Sequence, residues 1–205
     1  MGIEKKPIRP FDVAKHQAIL ETAAHSFFEI GYAATSIEQV AADAGVSKVT
    51  IYNHFTDKRG LFTASVEREC EKIRGAFSLD GMANGDLHQR LIAIGEAMMV
   101  FLSRPEMVQF ERRIAAETEH EPEVGRAFLA AGPSRMKSAF TKLLKALDAA
   151  GELAIADHEL AAEQFVSLCK GMGDLERRFG APPDPDRDAA RIEGAVEVFL
   201  RAYGR

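Results

Sequence analysis

The chain has 205 residues, 46% hydrophobic and 28% charged, with 26 Lys/Arg against 31 Asp/Glu for a net charge of −5. That balance excludes a disordered chain and describes a globular one able to bury a core. No apolar run of about 18 residues occurs, which excludes a membrane-spanning helix. Glu4, Lys5 and Lys6 fall where a signal peptide needs its apolar segment, so a cytoplasmic protein is expected. Position 6 is Lys, not the Ser or Thr of a myristoylation signal. Cys70 and Cys169 lie far apart and read as small buried hydrophobes. Charge is unevenly placed: residues 1–78 hold ten Lys/Arg and ten Asp/Glu, so the remainder carries the whole −5.

In chain order, residues 1–11 form a basic, proline-bearing segment (Lys5, Lys6, Pro7, Arg9, Pro10), expected to be flexible. It reads equally as a solvated tail and as an arm touching phosphates. Asp12 is the candidate cap of a first helix reaching Ile30, with Val13, Leu20, Ala23, Ala24, Phe27 and Ile30 as its buried stripe. The next stretch, Thr35 to Phe55, organises the rest. Thr35 with Glu38 has the spacing of a capping box. Ile37, Val40, Ala41 and Ala44 then recur at helical spacing, and Gly45 suits a left-handed helix end. Ser47 is placed to cap a second helix whose inward residues are Ile51 and Phe55. The spacing predicts a helix-turn-helix whose second helix reads a DNA major groove.

The outward face of that second helix carries Ser47, Lys48, Thr50, Tyr52, Asn53 and His54, groups that bond phosphates or base edges. Ser36, Val49 and Lys58, the last near the start of the following helix, complete the expected DNA-contacting set. A neutral domain gains affinity from placed contacts and helix N-termini instead of bulk charge.

Asp57 caps a helix extending to roughly Phe77, long enough to link two domains. Residues 78–85 read as a loop. Leu91, Ile94, Met98, Phe101 and Leu102 mark a helix ending before Pro105, which opens another carrying Met107, Phe110 and Ile114. The acidic run from Glu117 to Glu123 holds the lone His120 and reads as a solvated turn, not a metal site. A helix over about 134–150 carries Met136, Phe140, Leu143, Leu144 and Leu147. Ala161, Phe165, Leu168, Met172 and Leu175 give the helix at 157–179 a coiled-coil-like seam. Beside it runs a small-residue stripe of Ala162, Val166, Cys169 and Gly173, so the helix needs cover from two sides. Prolines 182, 183 and 185 force a turn before a last helix with Ile192, Val196, Phe199 and Tyr203.

Gly31-Tyr32, Thr35-Ser36, Val40-Ala41, Ala44-Gly45-Val46-Ser47, Thr50 through Phe55 and Asp57-Lys58 together resemble the N-terminal domain of TetR-type transcriptional regulators, over roughly residues 12–62. Val49 departs from the glycine or proline frequent there, and Gly60 from a glutamate. The C-terminal half is similar to the AefR-like branch at Phe128, Ala131-Gly132-Pro133, Gly151-Glu152-Leu153 and Ala161 through Phe165. The resemblance implies an all-α fold: a DNA-binding domain over residues 1–62, then a helical ligand-sensing and dimerisation domain over 63–205. It further implies a homodimer on near-palindromic double-stranded operator DNA, acting as a repressor released by a small molecule, with no cofactor or metal.

Phe77, Met98, Met99, Phe101, Phe110 and Phe140 are the candidates to line a cavity for an apolar effector. Phe140, Leu144, Ala161, Phe165, Leu168 and Met172 are the expected dimer contacts. No phosphate loop, nucleophile elbow, HExxH or catalytic carboxylate pair appears, so catalysis has no visible residues. A helical adaptor that binds protein through the same motif is the remaining class.

Overall fold

The computed structural model describes residues 10–77 and 85–205; residues 1–9, including the basic arm, and 78–84 of the expected loop lie outside the described residues. The helices are α1 (Pro10–Ile30), α2 (Ile37–Asp43), α3 (Lys48–His54), α4 (Lys58–Arg74), α5 (Leu87–Leu102), α6 (Pro105–Thr118), α7 (Pro122–Ala131), α8 (Pro133–Ala149), α9 (His158–Arg178) and α10 (Pro185–Tyr203). A 3-10 turn, Gly75–Phe77, extends α4. Among the described residues the nearest approach to a sheet is one isolated bridge between Leu153 and Gly204. Acidic side chains start four of these helices: Asp57, Asp86, Asp157 and Asp184 each accept from a backbone N–H of the first turn. Prolines open α6, α7, α8 and α10, where a missing N–H costs nothing.

Two expectations change here. α1 begins at Pro10, so Asp12 lies within the helix instead of capping it. α7 is the unexpected helix: its ten residues begin inside the acidic run that reads as a solvated turn.

Side-chain packing divides into two cores. The first joins α1 to α4 with α6 and α7, so it continues well past residue 62. Phe28 stacks on Phe110 with ring centroids 4.0 Å apart, and Phe62 meets Phe27 edge-on at 5.2 Å. α1 is thus rotated relative to the expected stripe. Leu20, Ala23, Ala24 and Phe27 are buried, with Ile19 and Phe28 added, whereas Val13 and Ile30 face outward.

The second core unites α5, α8, α9 and α10 through successive ring contacts of Phe140, Phe165 and Phe199 at 5.0 and 5.3 Å. α9 explains its own composition. Ala161, Ala162, Phe165, Cys169 and Gly173 face this core, where α5 and α10 approach so closely that a Cβ on Gly95 would sit 2.7 Å from Ile192 and 3.4 Å from Cys169. Leu168, Met172, Leu175 and Phe179 lie on the opposite side, and Phe179 is 83% exposed.

This corrects the expected dimer seam. Phe140, Leu144, Ala161 and Phe165 are at most 1% exposed and belong to the protomer's own core. Steps of four residues (161, 165, 169) describe the inner stripe up to Gly171, whose φ of +46° interrupts the helix, so a seam drawn in alternating fours and threes does not keep to one face. α8 offers no apolar outer face either, since its exposed positions include Ser138, Lys142 and Lys145. Leu168 and Met172 remain available, and Val198 of α10 is also exposed.

Truncating Phe165 therefore opens a cavity: in urea unfolding Phe165→Ala should cost about 3–5 kcal/mol. Val13→Ala, on the outward side of α1, should change stability by no more than about 0.5 kcal/mol. Equal losses in the two variants would contradict this packing.

Candidate nucleic-acid interface and effector cavity

The helix-turn-helix forms one residue out of the expected register. Ser36, not Thr35, caps α2: its Oγ accepts from Gln39 N at 3.1 Å. Thr35 is buried and donates its hydroxyl to Gly31 O at 2.7 Å. Glu38 is consequently free of any capping duty and pairs with Lys48 across the turn. α2 ends as anticipated. Gly45 adopts φ +65°, Gly45 N donates to Ala42 O at 3.1 Å and Val46 N to Ala41 O at 2.9 Å, a Schellman closure. Ser47 then caps α3 by accepting from Thr50 N at 3.1 Å. Ile51 and Phe55 are buried beneath α3, which fixes the face it presents.

That face carries most of the expected set. Ser36, Ser47, Lys48, Val49, Tyr52 and Asn53 are exposed, with Val49 at 66% and Tyr52 at 44%. Thr50 is half-buried, its hydroxyl 2.9 Å from that of Ser47. Lys48 keeps its charge on the surface, and the exposed ion pair holds it only weakly, so a phosphate can displace Glu38.

Two residues do more than wait for DNA. His54 is half-buried, its ring 5.4 Å from that of His16, which in turn stacks on Phe55 at 4.9 Å. Burial, and then the neighbouring His54, hold the pKa of His16 below its ordinary 6.5. Lys58 Nζ lies 4.6 Å from the centre of the Tyr32 ring and donates to Ala33 O at 3.2 Å. Partial burial lowers its pKa, against the upward pull of Glu117 and Glu121. Lys58 thus holds the turn between α1 and α2, a role beyond the DNA contact expected of it.

α6 grips the same turn from the other side. Arg113 Nη1 donates to Phe28 O at 2.7 Å, and Glu117 Oε2 accepts from Ala33 N at 3.1 Å. Gly31 makes room for this: its φ is +90°, and a Cβ there would sit 2.4 Å from Glu117 Oε1. The acidic run is therefore not wholly a solvated turn. Its first member is a fastener, a role invisible without knowing that α6 crosses α1. Among the described residues no group of three His, Cys, Asp or Glu is placed to hold a metal, and no helix is long and apolar enough to cross a membrane.

A cavity of about 350 Å³ lies beside this clamp, walled by α4, α5, α6, α8 and α9. Phe77, Met98, Phe101, Phe110 and Phe140 all line it, whereas Met99 is buried elsewhere. Phe28, Met107, Phe128 and Met136 join them, along with five charged side chains considered below. Phe28 is the unforeseen one, since a residue of α1 forms part of the wall. α6 supplies Met107, Phe110 and Glu111 to the cavity and, within two turns, Arg113 and Glu117 to the α1–α2 junction.

Comparison with known proteins decides the family. Residues 19–64 match the family described as bacterial regulatory proteins, tetR family, and residues 89–205 match the AefR-like transcriptional repressor C-terminal domain. The chain belongs to the TetR family. A TetR-family transcriptional regulator from Mesorhizobium loti MAFF303099 superimposes with a TM-score of 0.81 at 27% identity, covering 96% of this chain and 100% of that one. The flavonoid-responsive regulator FrrA does so with a TM-score of 0.73 at 29% identity, over 93% and 97% of the two chains. In sequence, the HTH-type transcriptional regulator YezE of Bacillus subtilis is 27% identical over 195 residues, 94% of this chain and 96% of its own. As a TetR-family member this protein is a dimeric helix-turn-helix transcriptional regulator that binds operator DNA, not an enzyme.

For a TetR-family regulator built this way, Tyr52→Ala should weaken operator binding at least about tenfold with an unchanged melting temperature. Lys58→Ala should lower both affinity and melting temperature, and a loss of affinity alone would contradict its contact with Tyr32. Because His16 is held neutral in the fold, its contribution to stability is complete above pH 6.5 and is lost as pH falls through its lowered pKa. Thermal melts from pH 7.5 to about 5.5 should show a decline in the wild type that His16→Phe reduces.

Proposed function

We propose that this TetR-family protein is a cytoplasmic repressor that holds a near-palindromic operator as a homodimer and lets go when an apolar small molecule fills the cavity. One observation carries the reading: the cavity wall and the clamp on the DNA-reading unit share α6, and Phe28 of α1 is itself in the wall. In this reading residues 1–62 read DNA, residues 63–205 sense and dimerise, and α4 joins the two. Ser36, Ser47, Lys48, Val49, Thr50, Tyr52, Asn53 and His54 meet the DNA, with Lys58 positioning the turn beside them. The responsiveness of FrrA, named as flavonoid-responsive, supports a small molecule as the signal.

The dimer is assigned to the exposed apolar residues of α9 and its end, Leu168, Met172, Leu175 and Phe179, with Val198 of α10. Two-fold pairing of that surface sets two copies of α3 roughly 34 Å apart, in successive major grooves. Effector binding moves this spacing only through its different affinity for the two states, typically about 1–3 kcal/mol.

The test uses DNA from upstream of the protein's own gene. Binding should be salt-sensitive, and an effector should weaken it by the same factor by which that DNA weakens effector binding. An effector bound equally well with and without the DNA contradicts the mechanism. In sedimentation, Leu168→Glu with Met172→Glu should give a folded monomer with reduced DNA affinity. A dimer that survives both charges would place the interface elsewhere.

A further inference from the structure

The chemistry of the cavity wall narrows what can enter it, an inference that rests on the effector reading above. Six phenylalanines line the space: 28, 77, 101, 110, 128 and 140. Rings in such number offer edges and faces to a flat aromatic body. Five charged side chains, Glu69, Glu111, Lys137, Glu163 and Lys170, interrupt this apolar lining.

Each of the five already has a counter-ion. Glu69 has Lys72 at 2.6 Å, Arg68 at 3.5 Å and Arg104 at 3.6 Å. Glu111 has Arg178 at 2.8 Å. Lys137 and Glu163 pair with each other at 2.9 Å, and Lys170 pairs with Asp174 at 3.3 Å. An anionic ligand entering this wall finds its cations engaged, and a cationic ligand finds its carboxylates engaged. Displacing the enclosed pairs of Glu69, Glu111 and Lys170, or burying a charge among the rings without a partner, is costly; the exposed Lys137–Glu163 pair at the rim is weak.

A neutral ligand meets no such obstacle, and hydroxyl donors suit it further. A carboxylate has about four acceptor sites, so Glu111 and Glu163 can take an O–H without releasing their partners. Ser167 on α9 adds a hydroxyl to the same wall. We infer that the cavity selects an uncharged aromatic compound bearing hydroxyl donors, over carboxylates and quaternary ammonium compounds of the same ring size. Burial raises the Glu111 pKa while Arg178 and Lys170 pull it back down.

Three probes with one ring system separate the cases: 2-naphthol, 2-naphthoate and 2-naphthyltrimethylammonium. The chain contains no tryptophan, so naphthyl emission can be followed directly in titrations of the full-length protein. 2-Naphthol should bind saturably and at least about tenfold tighter than either ion. Val166→Phe, which fills the space and leaves the chain free of tryptophan, should abolish that binding without lowering the melting temperature; Cys70→Leu, a milder filling of the same wall, should weaken it. Glu111→Gln removes one negative charge beside Arg178 and should move selectivity toward 2-naphthoate, an effect that mere loosening of the fold does not produce. Either ion binding to the wild type as tightly as 2-naphthol, or none of the three binding, overturns the inference. If 2-naphthol binds best but equally with and without operator DNA, the charge selectivity stands and the effector reading falls. If an ion binds best and releases the DNA, the reverse holds.

Discussion

The stacking of Phe28 on Phe110, at a centroid separation of 4.0 Å, is the contact on which the architecture turns. It joins α1, which packs beneath the helix-turn-helix, to α6, and both rings also line the cavity. Arg113 and Glu117, farther along α6, add directed bonds to the backbone at Phe28 and Ala33. A short, apolar stack reinforced by two charged side chains is stiff enough to carry a displacement. α4 provides the covalent route between the two regions, but α6 provides a second one through space. Anything that shifts Phe110 acts on the junction ahead of α2 without first bending α4.

The DNA-reading unit is electrically neutral overall, and its geometry shows how a neutral surface still suits a polyanion. Glu38 holds Lys48 at the start of α3, and Lys58 is held over Tyr32. These cations are ordered before DNA arrives, which reduces the side-chain entropy lost on binding. The exposed pair between Lys48 and Glu38 is weak enough to exchange for a phosphate. The contact of Lys58 with Tyr32 and Ala33 is more enclosed and serves the turn itself.

α9 shows how one helix can be apolar on two sides for two reasons. Its inner residues are small where α5 and α10 press close, so Gly95 packs against Ile192 and Cys169. Its outer residues are large and exposed, ending in Phe179. A solvated helix gains nothing from such a surface, and in the dimer proposed above a second copy covers it.

Much of this was legible along the chain. Periodicity and end signals located α2, α3, α5, α6, α8, α9 and α10, because helix formation depends on residues three and four apart and on local caps. The outward residues of α3 followed for the same reason: once Ile51 and Phe55 turn inward, the opposite face is determined. The five cavity residues Phe77, Met98, Phe101, Phe110 and Phe140 were identifiable as large apolar side chains in excess of a tight core. What could not be read locally depends on which helix crosses which. Ser36 rather than Thr35 became the cap because Thr35 is buried against Gly31. Ala161 and Phe165 turned inward because α5, α8 and α10 converge on that face, and a heptad-like spacing cannot say which neighbour lies on which side. Glu117 left the solvated acidic run because α6 passes beside Gly31, and Phe28 entered the cavity for the same reason. The sequence by itself determined most of the helices, the caps Ser47 and Asp57 and the outward face of α3, since these rest on short-range geometry. Only the tertiary structure decided the clamp, the cavity wall and the free face of α9, since each is made by residues scores of positions apart that meet only when the helices pack.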